Sequence, residues 1–232
     1  MSTFPGFPQD AITFFEEIAL LNDKAWFDEN KARFQEVVQQ PAQAFVAALG
    51  ERLATLIPGI QYNTTLNGSG SIMRIYRDTR FSKDKTPYKT NLGIVWWEGP
   101  GKKMEEPSYY FHLDREGAWL ANGMYSFPKD TLVAYRKTVA HNKRGVALVE
   151  VLARAQQAGL TISGSGEYTR VPTGYDKEHP RGDLLKKKGL VTISPGIGID
   201  VITSPALVDH CFEYAKAMVP LHQWLVAMPR EQ

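Results

Sequence analysis

Six cations stand between positions 74 and 89: Arg74, Arg77, Arg80, Lys83, Lys85 and Lys89, opposed only by Asp78 and Asp84. The 232-residue chain has a formal net charge of +2, so this stretch carries +4 (six minus two) and the remainder −2. Aromatic and hydroxyl side chains are interleaved with the charges: Tyr76, Thr79, Phe81, Ser82, Thr86 and Tyr88. A guanidinium fork grips a phosphate or carboxylate through two parallel N–H bonds, and hydroxyls and loop amides add further donors. In extended backbone Arg74 shares a face with Ile72 and Tyr76, and Arg77 shares the other with Met73 and Ile75. One of these guanidinium groups is therefore expected to be partly buried, where it needs a counter-charge. That counter-charge is an anionic ligand in one reading, and Asp78, Asp84 or a distant carboxylate in the other. A helical reading of the three-residue spacing from Arg74 to Lys83 is disfavoured by the glycines before it and Pro87 after it.

A second chemistry-bearing run is the loop from Val171 to Lys188, where Tyr175, Asp176 and His179 could form a donor–acceptor cluster facing an anion held by the basic segment. Here too a plain alternative stands, a surface loop leading into a basic helix face. A third is Tyr109-Tyr110-Phe111-His112-Leu113-Asp114, whose alternation puts Tyr110, His112 and Asp114 on one strand face. His112 with a carboxylate two residues on is a proton-transfer pair, a metal-ligand pair or a polar sheet face. No third ligand is picked out by spacing, so no metal is assigned. In the ligand reading the six cations bind charge, Tyr88 and Tyr175 orient the ligand, and Asp78, Asp84 and Asp176 hold the bases. His112 or His179, with Asp176, supplies the catalytic candidates. No cofactor is specified, and whether a reaction follows binding is left open.

Other chemistry is excluded by what is missing. Gly164-Ser165-Gly166 and Gly196-Ile197-Gly198 lack the third glycine of a dinucleotide fingerprint, and no glycine-framed loop ends in a Walker-type lysine. There is no paired-histidine zinc helix and no Gly-x-Ser-x-Gly elbow. Ser82-Lys83-Asp84-Lys85 matches Ser-x-x-Lys, but the companion elements of that acyl-transfer site are absent. His210 and Cys211 are neighbours on a helix, about 100° apart, and do not chelate together. Two further partner classes fit the basic segment. A non-enzymatic nucleic-acid-binding module, single- or double-stranded, would use the cations for attraction and Tyr76, Phe81 and Tyr88 as stacking surfaces, although a pI of about 8.5 is modest for a dedicated binder. A scaffold could dock an acidic protein there.

The run from Arg74 to Thr90 resembles the hallmark of the family known as domain of unknown function 2461. Further matching elements are Asn22-Asp23-Lys24-Ala25-Trp26-Phe27, Tyr109-Tyr110-Phe111-His112, Gly123-Met124-Tyr125 before Pro128, and Gly174-Tyr175-Asp176-Lys177-Glu178-His179-Pro180. The resemblance covers nearly the whole chain and implies a single domain. It brings no activity, cofactor or catalytic residue with it.

The elements that must position these residues follow from periodicity. Phe14, Phe15, Ile18 and Leu21, then Trp26, Phe27, Phe34, Val37 and Val38, recur at helical spacing, and Pro41 suits the first turn of another helix carrying Phe45, Val46, Leu49, Leu53 and Leu56. These stripes read as core. Strands are expected over Ser71–Arg77, Asn91–Glu98, Ser108–Asp114 and Ala118–Met124, with connections short enough for antiparallel pairing. Helices are expected from Pro128 through Val139, from Val146 to Ala158, near Asp183 to Lys188 and from about Pro205 to Ala227, with a short strand at Leu190 to Ser194. The order predicts a single α+β domain over 1–232, ordered over about 5–228. Its largely antiparallel sheet is packed with N-terminal, middle and C-terminal helices. An apolar share of 43% and a charged share of 22% exclude collagen-like and wholly disordered chains. One cysteine cannot close an internal disulfide, which suits a reducing compartment. With no secretion signal and no membrane-length apolar run in view, a cytoplasmic location is expected and no membrane partner.

Overall fold

The computed structural model describes residues 3–229. Along the chain lie α1 (Gln9–Leu20), α2 (Lys24–Phe34), α3 (Gln40–Leu56), β1 (Leu92–Trp97), β2 (Ser108–Asp114), β3 (Gly117–Met124), α4 (Lys129–Ala140), α5 (Asn142–Gln157), β4 (Thr161–Ser163), α6 (Gly182–Lys186), β5 (Leu190–Ile193), α7 (Ile199–Ile202) and α8 (Ala206–Val226). The five strands form one antiparallel sheet in the order β1-β2-β3-β5-β4, so the α+β class expected from the sequence is the class observed. The backbone divides into two compact units, residues 3–96, 110–120 and 196–214 in one and 97–109, 121–195 and 215–229 in the other.

In the first unit, Asp23 starts α2 by accepting from the Trp26 amide at 2.9 Å, as a capping carboxylate does. A π-helical turn over Gln35–Gln39 joins α2 to α3. Pro41 has no N–H for the Val37 carbonyl, and the widened turn absorbs that break without ending the helix. The predicted apolar stripes are core here: Phe14, Phe15, Ile18, Phe45, Val46 and Leu49 are essentially inaccessible. Leu21 departs from that pattern. It is half exposed because it lies past the end of α1, where its amide closes the last turn on Glu17 O. Phe45 packs on Phe111 of β2 at 4.7 Å between ring centres, and Trp96 of β1 donates to Val46 O at 3.0 Å.

Ser71–Arg77 is not a strand. Its backbone makes one bridge to β1, Ile72 to Ile94, and then turns to make another with its own return limb, Tyr76 to Tyr88. The amides of Arg77 and Lys89 donate to Pro87 O and Ile75 O. Pro87 has no amide to give back, so the ladder stops after these rungs and residues 78–86 leave as a loop.

In the second unit, Tyr135, Leu148, Leu185, Leu190, Leu221 and Leu225 form the centre of a buried cluster. Tyr135 donates to Leu184 O at 3.0 Å. Strand β5 pairs with β3 on one side and β4 on the other. At Gly123, opposite Val191, φ is +137°, and a Cβ would lie 2.2 Å from Leu190 O. Only glycine fits that approach. Helix α5 begins at Asn142, four residues before the Val146 start expected. The His141 ring nitrogen Nδ1 accepts from the Lys143 and Arg144 amides and so does the work of a cap.

Candidate functional site

The basic segment lies in the first unit, and the structure sorts its six cations by what they touch. Arg77 reaches Asp84 at 2.5 Å, and its Nη1 also donates to the Thr86 hydroxyl. Asp84 accepts in addition from the Thr86 amide at 2.9 Å. That amide, then the Arg77 guanidinium, hold the Asp84 carboxyl down at about 2. Arg80 forks onto Asp78 at 3.0 and 2.7 Å, and Asp78 also accepts from the Arg80 amide. This lowers the Asp78 carboxyl likewise to about 2. Lys85 donates to Thr79 O at 2.8 Å. These bonds stiffen the loop 78–86 from within, the role expected of Asp78 and Asp84. The tip remains in solvent, with Phe81 at 95% exposure.

Among the described residues Arg74, Lys83, Lys85 and Lys89 make no ion pair with a carboxylate; Lys85 is held instead by the Thr79 carbonyl, and the Arg74 charge helps to lower the Asp78 carboxyl. The aliphatic part of Arg74 lies against Gly68, where a Cβ would come within 2.9 Å of its Cγ. Lys89 is half-buried; burial first, and then the positive charge of Arg74, lower its pKa. The Arg74 charge thus acts both on a neighbouring cation, Lys89, and on a neighbouring carboxylate, Asp78. Arg74 borders a cleft of about 390 Å³ including the solvent at its mouth, lined also by Phe15, Phe34, Val38, Gln39, Leu66, Ile72, Met73, Ile75, Asn91 and Leu92. The π turn brings Val38 and Gln39 to this wall. Tyr88 is buried, its ring stacked on Phe27 at 4.2 Å and its backbone held at both N and O by the Asn22 amide at 3.0 Å. It supports the return limb from below.

Asn91, on the cleft wall, also faces His112. The alternation of β2 is as expected: Tyr109, Phe111 and Leu113 are buried, and Tyr110, His112 and Asp114 share the half-buried face. His112 Nε2 lies 3.0 Å from Asp114 Oδ2, and Nδ1 lies 3.1 Å from the Tyr110 hydroxyl and 3.4 Å from Asn91 Nδ2. A carboxylate only accepts, so Nε2 carries the proton and Nδ1 receives one from Tyr110. Trp119 stacks flat on the imidazole, 4.7 Å away at 9°. Burial pushes the Tyr110 phenol up to about 12. The row Tyr110–His112–Asp114 is therefore a directed chain in which the Tyr110 hydroxyl donates to Nδ1 and Nε2 donates to the carboxylate, so a proton handed along it moves toward Asp114.

The loop 174–181 belongs to the second unit and is built on itself. Asp176 accepts from the Glu178 amide at 3.0 Å, and its carbonyl accepts from the His179 amide at 3.1 Å. His179 Nδ1 accepts from the Arg181 amide at 3.0 Å. Arg181 in turn closes the end of α4, donating to Val139 O at 2.7 Å and Ala140 O at 3.2 Å. Tyr175 packs on the Tyr135–Leu185 cluster.

Sequence reasoning missed a buried cluster in the second unit. His222 of α8 is wholly inaccessible, with Nε2 donating to Glu98 Oε2 at 2.8 Å and Nδ1 accepting from Asn122 at 3.0 Å. The Tyr109 ring stacks on the imidazole at 5.4 Å. Burial lowers the His222 pKa, with Glu98 opposing it. The signal was present: His222 falls four residues after Met218 and three before Leu225, on the apolar stripe of α8. Among the described residues no three His, Cys, Asp or Glu side chains gather as metal ligands, and no helix is long and apolar enough to cross a membrane.

A family model described as conserved hypothetical protein (DUF2461) matches residues 10–224 of the chain. No curated protein and no solved structure matches it.

Proposed function

We propose that this chain, which belongs to the conserved hypothetical protein family DUF2461, binds a phosphorylated or otherwise anionic small molecule at Arg74 and Lys89. The observation that carries this reading is that neither Arg74, which borders the cleft, nor Lys89 makes an ion pair with a carboxylate among the described residues, the neighbouring Asp78 being already forked by Arg80. A dianionic phosphoryl group balances two positive charges and supplies acceptors for the planar Arg74 fork. Phe15, Phe34 and Leu92 give the cleft an apolar floor for the rest of the small molecule. Gln39 and Asn91 add neutral donors. Lys83 and Lys85 contribute attraction from the loop, while Arg77 and Arg80, held by Asp84 and Asp78, keep the loop in shape. Tyr88 acts by supporting the limb that carries Lys89. In this reading His112, with Asp114 behind it, is the proton carrier beside the site, and Tyr175, Asp176 and His179 belong to the supporting scaffold. A reducing, cytoplasmic setting is part of the proposal, supported by the single, fully buried Cys211.

Calorimetric titration with inorganic phosphate at constant ionic strength tests it. Arg74→Gln and Lys89→Gln are each expected to weaken binding by about tenfold or more, as loss of a charge-assisted contact does. Unchanged phosphate affinity in both variants contradicts the reading.

A second reading has its own observation. Phe81 at 95% and Tyr76 at 52% exposure offer aromatic faces beside Arg80, Lys83 and Lys85, the composition that binds single-stranded nucleic acid by stacking and charge. A steep fall of oligonucleotide affinity with salt, together with weaker binding at every salt concentration in Phe81→Ala, supports it. No binding at low salt rules it out.

A further inference from the structure

The basic tract at the end of the second loop holds more cations than its acids can pair. Lys186 binds Asp183 at 2.6 Å, and Lys187 binds Glu167 at 3.2 Å. Those pairings use up the two carboxylates, and Arg136 of α4 and Lys188 are left with none among the described residues. Both turn to the same ring: the Arg136 guanidinium carbon lies 4.8 Å from the centre of Tyr168, and Lys188 Nζ lies 4.6 Å from it. Arg136 is fixed by its Nε, which donates to Leu185 O at 3.2 Å, while its Nη2 is buried with no hydrogen-bond partner. A buried guanidinium N–H without an acceptor is uncommon, since nearly all such groups are satisfied. An aromatic face attracts a cation but supplies no lone pair in the plane of the fork.

We infer that Arg136, Lys188 and Tyr168 form a second anion site, independent of Arg74 and Lys89, that takes the phosphoryl group of a small molecule. The ligand oxygens accept from the Arg136 fork on one side and the Lys188 ammonium on the other, replacing ring contacts with charge-assisted hydrogen bonds. Two uncompensated cations favour a dianion over a carboxylate, since phosphate carries about −1.5 to −2 near neutral pH. Tyr168 is the movable cover. The residue is 43% exposed, and its hydrogen-bonded anchor is its backbone, the amide donating to Lys186 O at 2.8 Å. Rotation of the ring uncovers Nη2 without disturbing the 166–168 and 186–188 backbone pairing. None of the six residues from Gly174 to His179 is part of this site, although the lysines that follow that loop were its most basic feature.

Calorimetric titration with inorganic phosphate, and with acetate as the carboxylate probe, at constant ionic strength tests the inference. The wild-type protein is expected to take up phosphate in preference to acetate at a site that survives Arg74→Gln. Lys188→Gln is expected to weaken that site by about tenfold, and Arg136→Gln to do the same or more. Among the described residues the Lys188 side chain makes no hydrogen bond, only its backbone does, so its variant remains informative even where Arg136→Gln perturbs α4, which circular dichroism reports. No phosphate uptake, uptake abolished by Arg74→Gln alone, or equal affinity in wild type and Lys188→Gln overturns the second site. Loss confined to Arg74→Gln does so while leaving the Arg74–Lys89 reading intact.

Discussion

The cations of residues 74–89 are equal in charge but not in circumstance. Which of them an internal carboxylate reaches decides what each can do. The sequence placed the cluster and anticipated Asp78 and Asp84 as its internal acids. It could not say that Asp84 takes Arg77 and Asp78 takes Arg80, because those pairings depend on how the 78–86 loop closes. Arg77→Ala should raise the Asp84 pKa from about 2 only part of the way toward its ordinary 3.8, because the Thr86 amide is the larger cause. Carboxyl-carbon NMR titration measures this, and a full return contradicts the account. The His112 tautomer is a second prediction at this scale. Long-range nitrogen–proton NMR correlations on the neutral ring are expected to show the proton on Nε2, with Nδ1 as acceptor from Tyr110. Cys211 is inaccessible, and burial raises its thiol pKa. It should resist thiol reagents in the native protein and react once urea unfolds the chain.

Elements with strong periodicity were legible in the sequence, and those fixed by a single long-range contact were not. Strand β2 has the predicted bounds, because seven alternating residues between turns leave no other period. Residues 71–77 have the composition of a strand but divide their bridges between β1 and their own return limb, where Pro87 has no amide to continue the ladder. Nor does a histidine rank among common helix caps, so the start of α5 at Asn142 was hidden until His141 could be seen accepting two amides. Two substitutions test the elements. Gly123→Ala forces an L side chain into φ +137° against Leu190 O, and should destabilise the protein by about 2 kcal/mol or more. Phe111→Ala removes a ring packed on Phe7 and Phe45, and should cost about 3–5 kcal/mol. Urea unfolding midpoints read both.

For the molecule as a whole, His222 links folding to pH. Its folded pKa is lowered from 6.5 by burial, so the unfolded chain takes up a proton there before the native chain does. The stabilisation is complete above the unfolded value and is lost as pH falls through the lowered native one. The unfolding midpoint of wild type should therefore drop between about pH 7.5 and 5 by more than that of His222→Gln, in which this titration is absent. Equal slopes contradict the assignment. Function is where the sequence went least far: it offers a cluster of bases, geometry adds which of them form no ion pair with a carboxylate, and the proposed claim is that Arg74 and Lys89 take an anion. Anomalous diffraction from crystals soaked in selenate, a heavier tetrahedral dianion, tests that claim most directly. A selenium peak within hydrogen-bond reach of both Arg74 and Lys89 is predicted, and its loss in Arg74→Gln crystals. Ordered side chains at both positions with no peak beside them contradict it.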